Sequence, residues 1–121
     1  RAFVASGRLI VWPSATARVD FSTAPLGVRA VFLHELTHVW QAQNGVNLIW
    51  AKLRAGDGEQ AYAYEISESA DFRDLNIEQQ AMVVQDAYLA ANGCVMPYET
   101  TAYSRILATW SGPKRENPRK V

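Results

Sequence analysis

The segment that decides this fold reads VFLHELTHVWQ and runs from Val31 to Gln41. It contains the pattern H-E-x-x-H at His34, Glu35 and His38. Residues four apart on an α-helix differ by only about 40° around the axis, so the two imidazoles project side by side and can bind one tetrahedral Zn²⁺. Glu35 lies about 100° from His34, where its carboxylate can accept a proton from water without being a metal ligand. The segment therefore predicts a metal-binding helix that carries its own general base.

This helix is predicted to begin near Leu26, to reach Asn44 and to stop at Gly45, because glycine commonly follows the last helical residue. The preceding Ser22 to Pro25 offer a capping hydroxyl and a proline for the first turn. The side opposite the histidines is apolar, with Val28, Phe32, Leu36 and Val39. We expect that side to face the core, and we expect the imidazoles to need partners for their nitrogens.

A third metal ligand must come from another residue type, because the chain has only two histidines. Catalytic zinc takes three protein ligands and keeps a fourth position for water. Glu78 is the preferred candidate, since it opens a second predicted helix in which Ala81 leaves room for close helix packing. Other acidic residues remain alternatives, namely Glu65, Glu68, Asp71 and Asp74. Ligand histidines often donate their second N–H to a carboxylate. One of these residues or Asp86 is therefore expected to accept a hydrogen bond from a ligand histidine.

Composition excludes several classes of protein. The chain has 121 residues, of which 49% are hydrophobic, so one domain can bury a real core. Twelve basic and twelve acidic residues cancel, which argues against a nucleic-acid-binding protein. The single cysteine, Cys94, allows neither an internal disulfide nor a cysteine-rich zinc site, and we expect it to be buried. No run approaches the roughly 18 apolar residues of a transmembrane segment. The sequence lacks an initiator methionine, which is compatible with an excised piece of a longer protein. A targeting segment could lie outside it, so the sequence does not determine the cellular compartment.

The remaining patterns predict an α+β fold, with a small, mostly antiparallel N-terminal sheet packed on helices around a central HExxH helix. Its strands are expected over 2–5, 8–12 and 19–21, and 62–66 is expected as a strand or an extended loop. Further helices are expected over 47–54, over 77–91 behind an Asn76–Gln79 capping box, and over 99–110. The predicted domain covers residues 1–111, followed by a basic, flexible tail over 112–121.

The motif and its surroundings resemble a known group. The HExxH helix followed by Glu78 and Ala81 is similar to the gluzincin branch of zinc metallopeptidases. More narrowly, the segments 8–13, 31–41 and 77–86 resemble zincin-like domains of bacterial contractile injection systems, including Vgr- and Rhs-associated proteins and DUF4157-type domains. The resemblance implies His34, His38 and Glu78 as ligands and Glu35 as the base. It also implies secretion or delivery by an injection apparatus.

The function expected from the sequence is a zinc-dependent metallopeptidase with one Zn²⁺ per chain, acting on a peptide or protein substrate. A secretion-system component or an inhibitor would be a further partner. Two alternatives remain: a non-catalytic zinc-binding assembly or cargo module, and a metal-dependent cell-wall amidase. Tyr62 or Tyr64 is a candidate hydrogen-bond donor to an oxyanion, although packing is the commoner role of such tyrosines. The predicted strand from Arg8 to Trp12 is the candidate edge of the substrate cleft.

Overall fold

The computed structural model describes residues 3–5, 9–11, 21–56 and 58–111, and the predicted 112–121 tail lies outside them. In these ranges the chain forms an N-terminal hairpin and a series of helices. The hairpin consists of β1 (Phe3–Ala5) and β2 (Leu9–Val11), and the α-helices are α1 (Leu26–Gln43), α2 (Leu48–Ala55), α3 (Glu59–Tyr62), α4 (Ile77–Ala91) and α5 (Thr100–Ser111). Short 3-10 turns cover Phe21–Thr23 and Phe72–Asp74. None of the helices in the described ranges is both long and apolar enough to span a membrane, as predicted.

The predicted α+β fold is wrong, because the described chain is built from helices. Its only sheet in the described ranges is the two-stranded antiparallel hairpin, in which Val4 pairs with Ile10. A hairpin of two three-residue strands is too small to form a layer on which helices could pack. The hairpin instead lies against α1. The strand proposed over 19–21 falls partly outside the described residues, and its last residue, Phe21, begins a 3-10 turn.

Of the two alternatives predicted for 62–66, residues 63–66 adopt the extended loop, and side chains take two of the backbone hydrogen bonds that a neighbouring strand would need. Tyr62 ends α3, and the next residues are extended. The Ala63 carbonyl accepts from the Gln79 side chain at 2.6 Å, and the Ile66 N–H donates to the Tyr98 hydroxyl at 3.2 Å. With these hydrogen bonds made, the Ala63 carbonyl and the Ile66 N–H do not need partners on a neighbouring strand.

The ends of α1 and α4 follow local signals in the sequence. Gly45 has a φ of +93° just after α1, a conformation that favours glycine. Asn76 and Gln79 form the predicted capping box at the start of α4, each side chain bonding to the other's backbone N–H. The predicted hydroxyl cap on α1 is wrong, since Pro25 occupies the cap position without a side-chain hydrogen bond.

The apolar core lies between α4, α5 and the 3-10 turn before α4. Its centre contains Phe72, Val83, Tyr103 and Ile106, each at most 1% exposed. The Trp110 ring stacks on Phe72 at 4.6 Å between centroids, which ties the end of α5 to the turn that precedes α4. This core holds α4 in place, and Glu78 lies near the start of that helix.

The buried side of α1 is the one that carries the histidines, contrary to the prediction. His34, His38 and Gln41 are at most 8% exposed, whereas Leu36, on the predicted core side, is 38% exposed. The polar face packs against α4. Burial of these polar groups is tolerated because they bond to one another and to α4.

The first prediction concerns the close packing of α1 and α4. Ala81 is fully buried in α4, so Ala81→Leu should force the helices apart and lower the free energy of unfolding by about 1–3 kcal/mol. Ala91→Leu, on an exposed residue of the same helix, serves as the control and should change it by less than about 0.5 kcal/mol. Chemical denaturation measures both variants. Equal stabilities would show that this contact is not tightly packed.

Candidate metal centre

Three buried side chains from two helices converge on one point. The Nε2 atoms of His34 and His38 lie 3.5 and 3.2 Å from Oε1 of Glu78. Their ligand atoms all fall within 4.8 Å of one another. The imidazole rings are 5.1 Å apart and nearly perpendicular, as expected for residues four apart on α1. The structure therefore brings together the three residues that the sequence singled out as ligands.

Glu78 is held as an anion by positive and hydrogen-bonding groups on two other helices. Its second oxygen, Oε2, accepts from Nζ of Lys52 on α2 at 2.8 Å. Burial would raise the pKa of Glu78, but the hydrogen bonds from His34, His38 and Lys52 hold that pKa well below its usual range. The carboxylate is consequently ionised throughout the neutral pH range, the form that a metal ligand requires.

His38 is fixed on its far side by an amide. Its Nδ1 lies 2.8 Å from Oε1 of Gln41, which is fully buried. Gln41 Nε2 in turn donates to the Ile77 carbonyl and to Gln80 Oε1 on α4. Burial lowers the pKa of His38, but the hydrogen bonds to Glu78 and Gln41 and the charge of Glu35 outweigh it and raise this pKa above 6.5.

His34 has different surroundings. Its ring lies 6.4 Å from that of Tyr62, at the end of α3. Among the residues that the structure describes, none forms a hydrogen bond with its buried Nδ1. Asp86, expected as a hydrogen-bond partner of a ligand histidine, instead accepts from the Tyr64 hydroxyl at 2.6 Å. Burial raises the pKa of Asp86, while Tyr64 and the charge of His34 oppose that rise.

Glu35 is 4% exposed and lies outside the ligand cluster. Its negative charge is one of the causes that raise the pKa of His38. A buried carboxylate that follows a ligand histidine in sequence and is not part of the cluster is a candidate general base.

The alternative acidic residues do not join this cluster. Glu65, Glu68 and Asp74 are exposed, and Asp71 pairs with Arg73 at 2.6 Å. Cys94 is exposed, so the prediction that it would be buried is wrong.

Two residues of the site were not predicted from the sequence. Lys52 comes from another helix, and no spacing connects it to Glu78, so only the tertiary structure places it there. Gln41 carried a usable signal, because it lies three residues after His38 and therefore on the same helix face.

The cluster fits a zinc ion. Two imidazole nitrogens and one carboxylate oxygen are the donors found in three-ligand catalytic zinc sites. Both imidazoles turn Nε2 toward the carboxylate, and Gln41 accepts at the opposite nitrogen of His38, the usual outer contact of a ligand histidine. The described residues thus supply the three protein ligands that such a site requires.

The second prediction concerns the pH dependence of stability in the metal-free protein. A folded-state pKa of His38 raised above 6.5 stabilises the fold below pH 6.5, and this contribution is lost as the pH rises through the raised value. The free energy of unfolding, measured by urea denaturation with a chelator present, should therefore decline on the alkaline side of pH 6.5.

The control for this experiment is His38→Gln, which should flatten that decline because the titrating group is gone. Saturating zinc should also remove it, since the metal replaces the proton on the imidazole. A wild-type stability that rises between pH 6.5 and 8 in chelator would contradict the expected protonation of His38.

Comparison with known proteins gives one informative similarity. The chain is 42% identical over 78 residues to the type VI secretion system spike protein VgrG2b of Pseudomonas aeruginosa strain PAO1. The aligned part is 60% of this chain and 8% of the relative, so the chain spans a small fraction of that protein's length. No family model and no solved structure matches the chain. The chain is thus related in part to a spike protein of a bacterial secretion system.

Proposed function

We propose that this chain is a zinc-dependent metallopeptidase domain that hydrolyses peptide bonds. The observation that carries the proposal is the convergence of His34, His38 and Glu78 beside a buried Glu35. A structural zinc site would need ligands but no base next to them. The four residues together form the minimal set for hydrolysis with zinc.

The residues of the chain divide the work of hydrolysis. His34, His38 and Glu78 would hold the ion, which when bound supplies Lewis acidity that activates water near neutral pH and polarises a carbonyl. Glu35 takes the proton from the attacking water and delivers it to the leaving amine. Lys52 keeps Glu78 ionised through the 2.8 Å contact and orients its other oxygen toward the imidazoles.

Tyr62 is the better of the two predicted candidates for stabilising the developing oxyanion. It is partly exposed and borders the site, near His34 and beneath the Lys52 ammonium at 5.8 Å. Tyr64 uses its hydroxyl on Asp86 and Tyr103, whereas the Tyr62 side chain interacts with Lys52 at the site. A partly exposed tyrosine at the edge of the cluster could donate a hydrogen bond to a substrate carbonyl.

The hairpin contains the strand that we propose as the edge of the cleft for a peptide substrate. β2 lies beside α1 and pairs with β1 alone among the described residues. An extended peptide could bind to such a strand by backbone pairing. The similarity to a type VI spike protein is consistent with delivery by a bacterial injection system.

The third prediction concerns metal content. Purified protein should hold about one zinc per chain, measured by elemental analysis after dialysis. His34→Ala and His38→Ala should lose it, because two remaining ligands bind zinc too weakly. Glu78→Gln should weaken binding markedly, since a neutral amide is a poorer ligand than a carboxylate.

Glu65→Gln and Asp74→Asn are the matched controls for Glu78→Gln, and both should retain zinc because these carboxylates are exposed and lie outside the cluster. Equal zinc content in the wild type and in the variant that combines His34→Ala with His38→Ala would refute the metal-site proposal. If a control variant loses zinc while Glu78→Gln retains it, the residue changed in that control, and not Glu78, is the third ligand.

The fourth prediction separates an enzyme from a non-catalytic zinc module. Glu35→Gln should retain zinc and fold but lose about 10²–10⁴ in turnover, because the amide cannot accept a proton. Cleavage of unstructured protein and of cell-wall amide substrates should be measured side by side, with Glu68→Gln as an exposed control. Turnover of protein substrate that survives Glu35→Gln with zinc bound would refute Glu35 as the base. Turnover confined to cell-wall amides would favour the amidase alternative.

A further inference from the structure

We propose that two glutamines, the buried Gln41 and the half-buried Gln80, are positioning residues that fix the proton of His38 on Nδ1 and thereby present its Nε2 lone pair to the metal. We call the chain of hydrogen bonds from His38 through Gln41 and Gln80 to the Phe72 carbonyl the amide relay. The inference rests on the proposed zinc site and adds the groups that prepare one of its ligands.

The relay crosses the interface between α1 and α4. His38 Nδ1 lies 2.8 Å from Gln41 Oε1, and Gln41 Nε2 lies 2.8 Å from Gln80 Oε1. Gln80 Nε2 then reaches the carbonyl of Phe72 at 3.0 Å. A side contact joins Gln41 Nε2 to the carbonyl of Ile77 at 3.1 Å.

The far end of the relay determines its direction. A backbone carbonyl can only accept, so the Phe72 carbonyl requires the NH₂ group of Gln80. The oxygen of Gln80 must then face Gln41, which can meet it only with its own NH₂ group. The oxygen of Gln41 is left toward His38, and Nδ1 of His38 must donate to it.

The Ile77 carbonyl independently requires the same orientation of the Gln41 amide. It and Gln80 Oε1 accept the two hydrogens of the Gln41 amide, so both of its N–H groups are used. Rotating that amide by half a turn would set its oxygen against two acceptors inside the protein. Because Gln41 is fully buried, water cannot relieve such a contact, so the reversed amide orientation is disfavoured.

A proton fixed on Nδ1 matters for metal binding because a ligand nitrogen must offer a lone pair. With Nδ1 donating to Gln41, Nε2 is the nitrogen that faces Glu78 Oε1 at 3.2 Å, and a metal ion would take the place of the proton that His38 donates to that carboxylate. The donated hydrogen bond also raises the basicity of the ligand nitrogen. The amide relay thus links the affinity for zinc to the packing of α4 on α1.

Zinc affinity of glutamine variants tests the relay. Gln41→Met has a similar volume and no acceptor, so it should weaken zinc binding by about 10–100-fold in a competition titration with a chelator. Gln43→Met makes the same substitution on the same helix at an exposed position and should bind like the wild type. Gln80→Met should fall between them, because the Ile77 carbonyl still orients Gln41. It provides the test if Gln41→Met does not fold.

Nitrogen-15 spectra of the zinc-loaded protein provide a readout that general destabilisation would not change. With only two histidines the imidazole signals are simple to assign. In the wild type, His38 should coordinate through Nε2 and show a slowly exchanging Nδ1 proton. In zinc-saturated Gln41→Met that proton should exchange faster, while the Nδ1 proton of His34 and the amides of α4 keep their exchange rates.

The outcomes distinguish this proposal from the proposed function. If the wild type binds no zinc, the metal site and the relay both fail. If the wild type binds zinc but Gln41→Met binds it equally well, or if His38 coordinates through Nδ1, only the relay is refuted. Parallel acceleration of exchange at His34 and His38 would show that Gln41 has only a structural role.

Discussion

The carboxylate of Glu78 is the group on which the arrangement of the helices depends. One buried anion receives the two imidazoles of α1 at 3.5 and 3.2 Å and the Lys52 ammonium of α2 at 2.8 Å. A charge removed from water is tolerated only when it is paired and hydrogen-bonded, so each of these contacts offsets the cost of burying Glu78. The same contacts bring α1, α2 and α4 to one point. The structure therefore concentrates its polar interactions where the proposed chemistry takes place.

Stability and function are divided between the two sides of α4. One side packs on α5 and the turn at Phe72 through apolar contacts, and this interface contains the largest fully buried apolar side chains of the described chain. The other side meets α1 through Glu78, Gln80 and the Ile77 carbonyl, which are polar groups with defined partners. An apolar core tolerates repacking, whereas a buried polar contact requires matched donors and acceptors. The apolar side can thus hold α4 while the polar side sets the geometry of the ligands.

The site is much more accessible on its α2 side than at its ligands. The imidazole side chains are at most 10% exposed, whereas the Lys52 side chain is 44% exposed and the neighbouring Tyr62 is partly exposed. A substrate would approach past these two residues, where a positive charge and a hydroxyl can meet a carbonyl oxygen. In the proposed enzyme, Lys52 would therefore act both on Glu78 and at the boundary with the substrate.

Local signals in the sequence determined the helices and the ligand candidates. Gly45 and the Asn76–Gln79 capping box predicted where α1 ends and α4 begins, and the four-residue spacing of His34 and His38 predicted neighbouring imidazoles. Such features depend only on residues within one or two helical turns, so they can be deduced from the sequence. The tertiary structure alone decided that α1 buries its polar face, that Lys52 binds Glu78 and that 63–66 is an extended loop and not a strand. Each of these depends on a partner that is distant in sequence, and a periodic pattern indicates a face of a helix without specifying which remote groups will satisfy it.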